Sequence, residues 1–319
     1  GRDVAIVRRR HEGPPAQERV AVTDVTGVRR EATVTAVRTP ADLPGPPEVI
    51  IFAVKMFDLP GAVDACAVWP SAVALTVANG IGAEAIVLER RGGGLIAGSM
   101  TSAVEVLDDG TVARLNRGGV ALAPVQGEVS PIVEALLAAF ATAGLRTARC
   151  DDAAAMKWSK LVGNLLANAT SAILDRSPGE VYADAGAYRV ERRMLLEAFG
   201  VMRSLGLSPV PLPGMDVRWL RLGLHLPDVI GRPVIRRVIA GARGSKDPSL
   251  RRHARLGSGP SEVEWLNGAV DREARRLGRV APVNRRIADT LTEILADPER
   301  RAWFRGRPDR LVAVVERRD

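Results

Sequence analysis

Two stretches of the chain are apolar without a break. Glu48-Val49-Ile50-Ile51-Phe52-Ala53-Val54 and Ala72-Val73-Ala74-Leu75-Thr76-Val77-Ala78 have the character of strands buried on both faces, as in the middle of a parallel sheet. The segment between them, 59–68, reads as a helix. Strand, helix, strand in that order predicts a doubly wound parallel sheet. Asp3-Val4-Ala5-Ile6-Val7 is a shorter apolar run and reads as another strand of it. Residues 19–37 alternate instead, with Val20 and Val22, then Ala32, Val34 and Ala36, around Thr26-Gly27. That period of two predicts a hairpin. Short glycine-rich strands follow over 91–125, then a helix from Ile132 to Ala143 and a strand from Leu145 to Cys150. Gly92-Gly93-Gly94 reads as a turn, since it lacks a strand before it, a helix after it and the spacing of a phosphate loop.

Beyond Asp151 the period changes to that of helices. Val190, Met194, Leu195, Ala198, Val201, Met202 and Leu205 recur at helical spacing and read as core. Further helices are expected over 215–241, 261–277 and 283–296, with a polar loop from Ser245 to Pro260. The expected architecture is an α/β domain over residues 1–150, followed by an all-α domain over residues 151–319.

One helical stretch departs from simple amphipathicity. In the run from Met156 to Thr170, Lys160, Asn164 and Asn168 fall at i, i+4 and i+8, with Trp158, Leu161, Val162, Leu165 and Leu166 around them. A helix that is apolar on most sides is buried. An ammonium and two amides in such a place need partners. Each Asn also costs roughly 0.5 kcal/mol against Ala in a helix interior. The line therefore reads as the wall of a polar pocket, against the alternative of a solvated helix edge.

Composition sharpens that reading. Of 45 Lys plus Arg residues, four are lysine: Lys55, Lys157, Lys160 and Lys246. Lysine survives where arginine cannot serve, and a proton donor is such a place, because burial tunes an ammonium and not a guanidinium. The net charge of +8 is spread over scattered arginines, and aromatics are only 4%, so no stacking platform for nucleic acid is expected. The positive charge suits anionic small molecules. Cys66 and Cys150 make neither a disulfide framework nor a zinc site, and His11, His225 and His253 lack metal-ligand spacing, so no metal is expected. No run is long enough to cross a membrane, and a reducing cytoplasm fits the cysteine count.

Ligands of a parallel sheet bind beyond the carboxyl ends of its strands. Arg8, Lys55 and Asn79 stand at three such ends. In a dinucleotide-binding sheet an acid after the second strand selects NAD, and a base there can hold the extra phosphate of NADP. Arg8 fills that position if Val4–Val7 is that strand, and Lys55 can add a second charge. The plain alternative is a solvated basic face.

These residues, taken in order, resemble a known family. Ala53-Val54-Lys55 is followed by Asn79-Gly80-Ile81-Gly82, then Trp158-Ser159-Lys160-Leu161-Val162-Gly163-Asn164-Leu165-Leu166-Ala167-Asn168. Pro248-Ser249, Ser261-Glu262-Val263-Glu264-Trp265-Leu266-Asn267-Gly268 and Ala281-Pro282-Val283-Asn284 complete the series. The chain resembles ketopantoate reductase, or 2-dehydropantoate 2-reductase, over nearly its whole length. The resemblance implies a Rossmann-like domain followed by an all-α domain. It implies NADPH-dependent reduction of a 2-keto acid, foremost 2-dehydropantoate to pantoate in pantothenate biosynthesis. Carried across, Lys160 matches the proton-donating lysine, and Asn164 and Asn168 match the substrate-binding asparagines. Asn79 matches an asparagine near nicotinamide and substrate, and Ser249 a serine receiving the substrate carboxylate. Glu262 matches a glutamate contacting cofactor and the catalytic region, although Ser261 followed by Glu264 is also a helix-capping pattern. Arg8 and Lys55 match the 2′-phosphate pair, and Val104 a backbone contact to cofactor. A small-molecule substrate and a homodimer fit the family; nucleic acid and membrane do not.

Three departures accompany the resemblance. The chain starts at Gly1 at what resembles the family's second strand, so we expect a strand and a GxGxxG loop before residue 1 in the native protein. Pro178, where the family often has Asn, precedes Gly179-Glu180. The span from Ser249 to Glu262 is one residue longer than in the family pattern. The competing readings are a reductase of another 2-keto acid and a non-catalytic remnant with a defective cofactor site.

Overall fold

The computed structural model describes residues 3–8, 13–243, 247–256 and 259–317, and the side chains of 238–243 are not among them. His11, Lys246, Arg9 and Arg10 lie outside the described residues. The chain divides into two units, 1–78 with 83–153, and 79–82 with 154–319.

The first unit runs β1 (Ala5–Val7), β2 (Ala16–Thr23), β3 (Arg29–Val37), β4 (Val49–Phe52), α1 (Leu59–Ala65), β5 (Val73–Thr76), α2 (Ala83–Arg90), β6 (Leu95–Met100), β7 (Val104–Val106), β8 (Val112–Arg114), β9 (Gly119–Gln126), α3 (Ser130–Thr142) and β10 (Arg146–Arg149). One sheet has the order β10-β9-β6-β5-β4 and is parallel except for the β6–β9 pair. The alternation of β5 puts Leu75 against α3 with Ile96, Leu122, Val133 and Leu137. Thr76 points to the opposite face, where its hydroxyl donates to Glu84 of α2 at 2.6 Å. Helices therefore cover both faces, which is why β5 tolerates an unbroken apolar run.

Two expectations are corrected here. β4 is not central: it is an end strand of its sheet, with Ile51 47% exposed. β1 does not join that sheet. It pairs in parallel with β3, Ala5 opposite Thr35 and Val7 opposite Val37, in a second sheet of order β1-β3-β2-β8-β7. Apolarity states that a strand is to be covered, not by which neighbour. The hairpin is as expected: β2 and β3 are antiparallel, and Asp24 caps the turn by accepting from the Thr26 and Val28 amides, with Gly27 at φ 85°.

The second unit holds α4 (Ala153–Leu165), α5 (Ala169–Leu174), α6 (Pro178–Ala183), α7 (Ala185–Ser204), α8 (Val217–Leu224), α9 (Asp228–Arg243), α10 (Ser249–Leu256), α11 (Asn267–Arg276), α12 (Pro282–Ala296), α13 (Pro298–Phe304) and α14 (Pro308–Glu316). Val190, Met194, Leu195, Ala198, Val201 and Met202 of α7 are buried and join Trp158, Leu161, Val162 and Leu165 of α4 in one core. Glu197 caps α12 from α7, accepting from the Val283 and Asn284 amides at 3.0 Å each. Burial pushes its carboxyl up against those bonds. Asn284 in turn donates to the Met194 carbonyl and accepts from Asn267, so these two motif asparagines hold α7, α11 and α12 together.

The segment from Ser245 to Pro260 is not a loop throughout, since α10 occupies its middle. The run from Met156 to Thr170 is not one helix. It breaks over Leu166–Asn168, where Ala167 takes φ 45°, and α5 starts on a new course. Pro178 is the first residue of α6, and Ser177 and Glu180 form its capping box. No described helix is long and apolar enough to cross a membrane.

Candidate active site

Six of the residues singled out from the sequence group with the helical unit, and five of them meet in two hydrogen-bonded pairs and one helix line. Asn79 belongs to the Asn79–Gly82 segment, which follows β5 yet groups with the helices. The segment is seated by the 3₁₀ turn Glu262–Trp265: the Ile81 amide donates to the Trp265 carbonyl at 3.1 Å. Gly80 and Gly82 have φ of 89° and 114°. A Cβ on Gly80 would stand 2.4 Å from the Trp265 oxygen. Glycine is needed there for conformation and for space.

So seated, Asn79 presents its side-chain oxygen to α4, and Asn164 donates its amide to it at 3.1 Å. Both are half-buried. Lys160 lies one turn before Asn164 on the same line of α4 and is also half-buried. The deeply buried lysine of this helix is Lys157, 5% exposed, so scarcity of lysine marked both and the burial argument applies more strongly to Lys157.

Asn168 is the last residue of the break and is buried. Its side-chain oxygen accepts from the Leu250 amide at 3.1 Å, and its amide faces the Ser249 hydroxyl at 3.4 Å. Asn168 thus caps the start of α10 and holds Ser249 nearby. It does not continue the Lys160–Asn164 line, because Ala167 has turned the chain. The position of α10 is fixed independently by charge. Arg251 donates to Asp175 at 3.2 Å, to the Asp175 carbonyl at 3.0 Å and to Asp247 at 2.8 Å. Arg255 bonds the same two carboxylates at 2.9 Å each. Burial alone would push the Asp175 carboxyl up, but the hydrogen bonds from Arg255 and Arg251 outweigh it and hold the group below the usual carboxylate range. Sequence spacing shows the Asp247–Arg251 pair, four residues apart. Asp175 is too far along the chain for any local pattern to reveal.

Glu262 is buried in its 3₁₀ turn, which Ser261 caps by accepting from the Val263 amide at 3.2 Å. The expected capping pattern is thus made one residue earlier than Ser261 and Glu264 predict. A pocket of about 280 Å³ opens elsewhere on this unit, lined by Glu197, Gly200, Val201, Arg279 and Val280, and includes no candidate residue.

The other candidates are in the first unit. Arg8, at the end of β1, is exposed and pairs with Glu18 at 2.6 Å. Lys55 is exposed after β4, and Val104 opens β7 with 46% exposure. Arg8 and Lys55 follow strands of different sheets. Among the described residues no three His, Cys, Asp or Glu gather as a metal site.

The comparisons with known proteins agree in kind. Residues 152–295 match the family model for the ketopantoate reductase C-terminal domain. A 2-dehydropantoate 2-reductase of Halobacterium salinarum is 25% identical over 246 residues, 76% of this chain and 74% of that protein. One of Mesorhizobium japonicum is 32% identical over 229 residues, 72% of this chain and 62% of its own length. Among solved structures, a 2-dehydropantoate 2-reductase of Geobacter metallireducens superposes with a TM-score of 0.74 at 21% identity, covering 92% of each chain.

Proposed function

The chain belongs to the ketopantoate reductase family, and we propose that it reduces a 2-keto acid, 2-dehydropantoate first, to the 2-hydroxy acid with NADPH. The observation that carries this reading is the Asn164–Asn79 hydrogen bond, which ties a strand-end loop to the helix bearing Lys160. Reduction adds a hydride to the ketone carbon and a proton to its oxygen. A reduced nicotinamide, when bound, supplies the hydride.

The chain's own residues supply the rest. Lys160 is the proton donor, a role worth roughly 10²–10⁴ in rate. Asn79 and Asn164 orient the ketone, because two amides fixed by each other present their remaining donor and acceptor in set directions. Ser249, with Asn168 behind it, takes the carboxylate at the start of α10. Glu262, a buried carboxylate, is the acidic residue assigned to the cofactor and to the region of Lys160. Arg8 and Lys55 are exposed cations suited to the 2′-phosphate, with Glu18 as a competitor for Arg8; Val104 offers backbone to the cofactor. The residues present fit the phosphate end of that cofactor by charge. We assign it to the cytoplasm, a reducing compartment in which thiols such as those of Cys66 and Cys150 stay free.

The test is oxidation of NADPH followed optically with 2-dehydropantoate, with pyruvate and a branched 2-keto acid as comparisons. Turnover highest with 2-dehydropantoate supports the reading. Turnover only with another 2-keto acid keeps the chemistry and changes the substrate, and none with any of them overturns the reading.

A further inference from the structure

Glu191 on α7 is fully buried and stands outside every motif discussed above. Its carboxylate accepts from the Ala167 amide at 2.8 Å, the Thr170 hydroxyl at 2.5 Å and the Tyr182 hydroxyl at 2.7 Å. Those donors come from the α4–α5 break, from α5 and from α6. A carboxylate only accepts, so it satisfies several converging donors at once, which an amide of the same shape does not. The residue it grips, Ala167, has the left-handed backbone that a side chain disfavours. Such a conformation persists where its surroundings over-determine it. The next residue is Asn168, which holds Leu250 and faces Ser249.

We propose that Glu191 is a positioning residue: by clamping the Ala167 turn it sets Asn168, and through it the carboxylate-binding Ser249 at the start of α10. The substrate consequence rests on the reading of Asn168 and Ser249 given above; the mechanical one does not. Glu191 itself touches no substrate. The left-handed turn costs alanine more than glycine, so a glycine at 167 needs the clamp less.

Two readouts test this on the full chain. The first is steady-state kinetics of Glu191→Gln. KM for the keto acid rises about tenfold, while kcat and the NADPH Kd stay within about twofold, and adding Ala167→Gly recovers most of the KM. The second is hydrogen exchange at the Leu250 amide, which speeds up about tenfold in Glu191→Gln relative to the amides of α12. If Glu191→Gln does not fold, Tyr182→Phe removes one of these donors and keeps the carboxylate, and the same two changes appear at smaller size. An unchanged KM in folded variant, or Leu250 exchange rising no more than the rest of the unit, overturns the proposal. If the wild-type chain turns over no keto acid, the proposed function fails, and the Leu250 exchange still decides the role of Glu191.

Discussion

The side-chain amide of Asn164 donates to the side-chain oxygen of Asn79 at 3.1 Å, across 85 residues of sequence. Neither residue can be moved without releasing the other. Asn79→Ala and Asn164→Ala should therefore lose kcat/KM non-additively, with a coupling of about 1 kcal/mol in a double-mutant cycle. Losses that simply add would show the two amides to be independent.

Lys160→Ala should lower kcat by about 10²–10⁴ with cofactor affinity little changed. Lys160→Arg should not restore it, since a guanidinium does not give up its proton. Wild-type turnover in either variant removes Lys160 from the proton path.

Gly80→Ala meets both a φ of 89° and a carbonyl oxygen 2.4 Å from the new carbon. A loss of about 2 kcal/mol or more is expected by denaturant unfolding. Gly61→Ala on α1, with open space around it, is the control; it should be neutral or stabilising by about 0.5–1 kcal/mol.

Asp175→Asn keeps a residue that accepts the left-handed φ of 48° and removes the charge between Arg251 and Arg255. The wild-type carboxyl titrates below its unfolded value, so its stabilisation is present above that value and is lost as pH falls through the folded one. The variant should be about 2 kcal/mol less stable at pH 7. The gap should close as pH drops below about 4. A gap independent of pH would assign the loss to packing.

Arg8→Ala should weaken NADPH far more than NADH, and Glu18→Ala should tighten NADPH by freeing the guanidinium from its partner at 2.6 Å. Equal effects on both cofactors would mean that Arg8 does not meet the 2′-phosphate.

Where one helix or one hairpin decides its own pattern, it was legible. The β2–β3 hairpin and the α7 core stripe read directly from period, and β5 from its unbroken apolar run. The break at Ala167 did not, because alanine favours helix and no Gly or Pro flags the turn; the cause lies 24 residues on, at Glu191. The sequence over α10 reads as loop because only Leu250, Arg251 and Ala254 are buried, and ion pairs replace an apolar stripe. The strand partners of β1 and β4 are not legible in the sequence, because apolarity does not name a neighbour. Of the site, Lys160 and Asn164 stand out in the sequence by residue type and spacing, and Ser249 only through the family resemblance. The clamp behind Asn168 was not, as it consists of distant residues with no shared spacing.

The Asn79–Gly82 segment groups with the helical unit although the sequence around it belongs to the other. The chain therefore passes from one unit to the other three times, not once. A hybrid gene spliced at residue 153 between two relatives would take its loop from one parent and the seat for that loop from the other. Any side chain at position 80 in the donated loop would press on the carbonyl of residue 265. The two halves of this protein are thus not interchangeable cassettes, and position 80 has to stay glycine for as long as the backbone of residue 265 keeps its place.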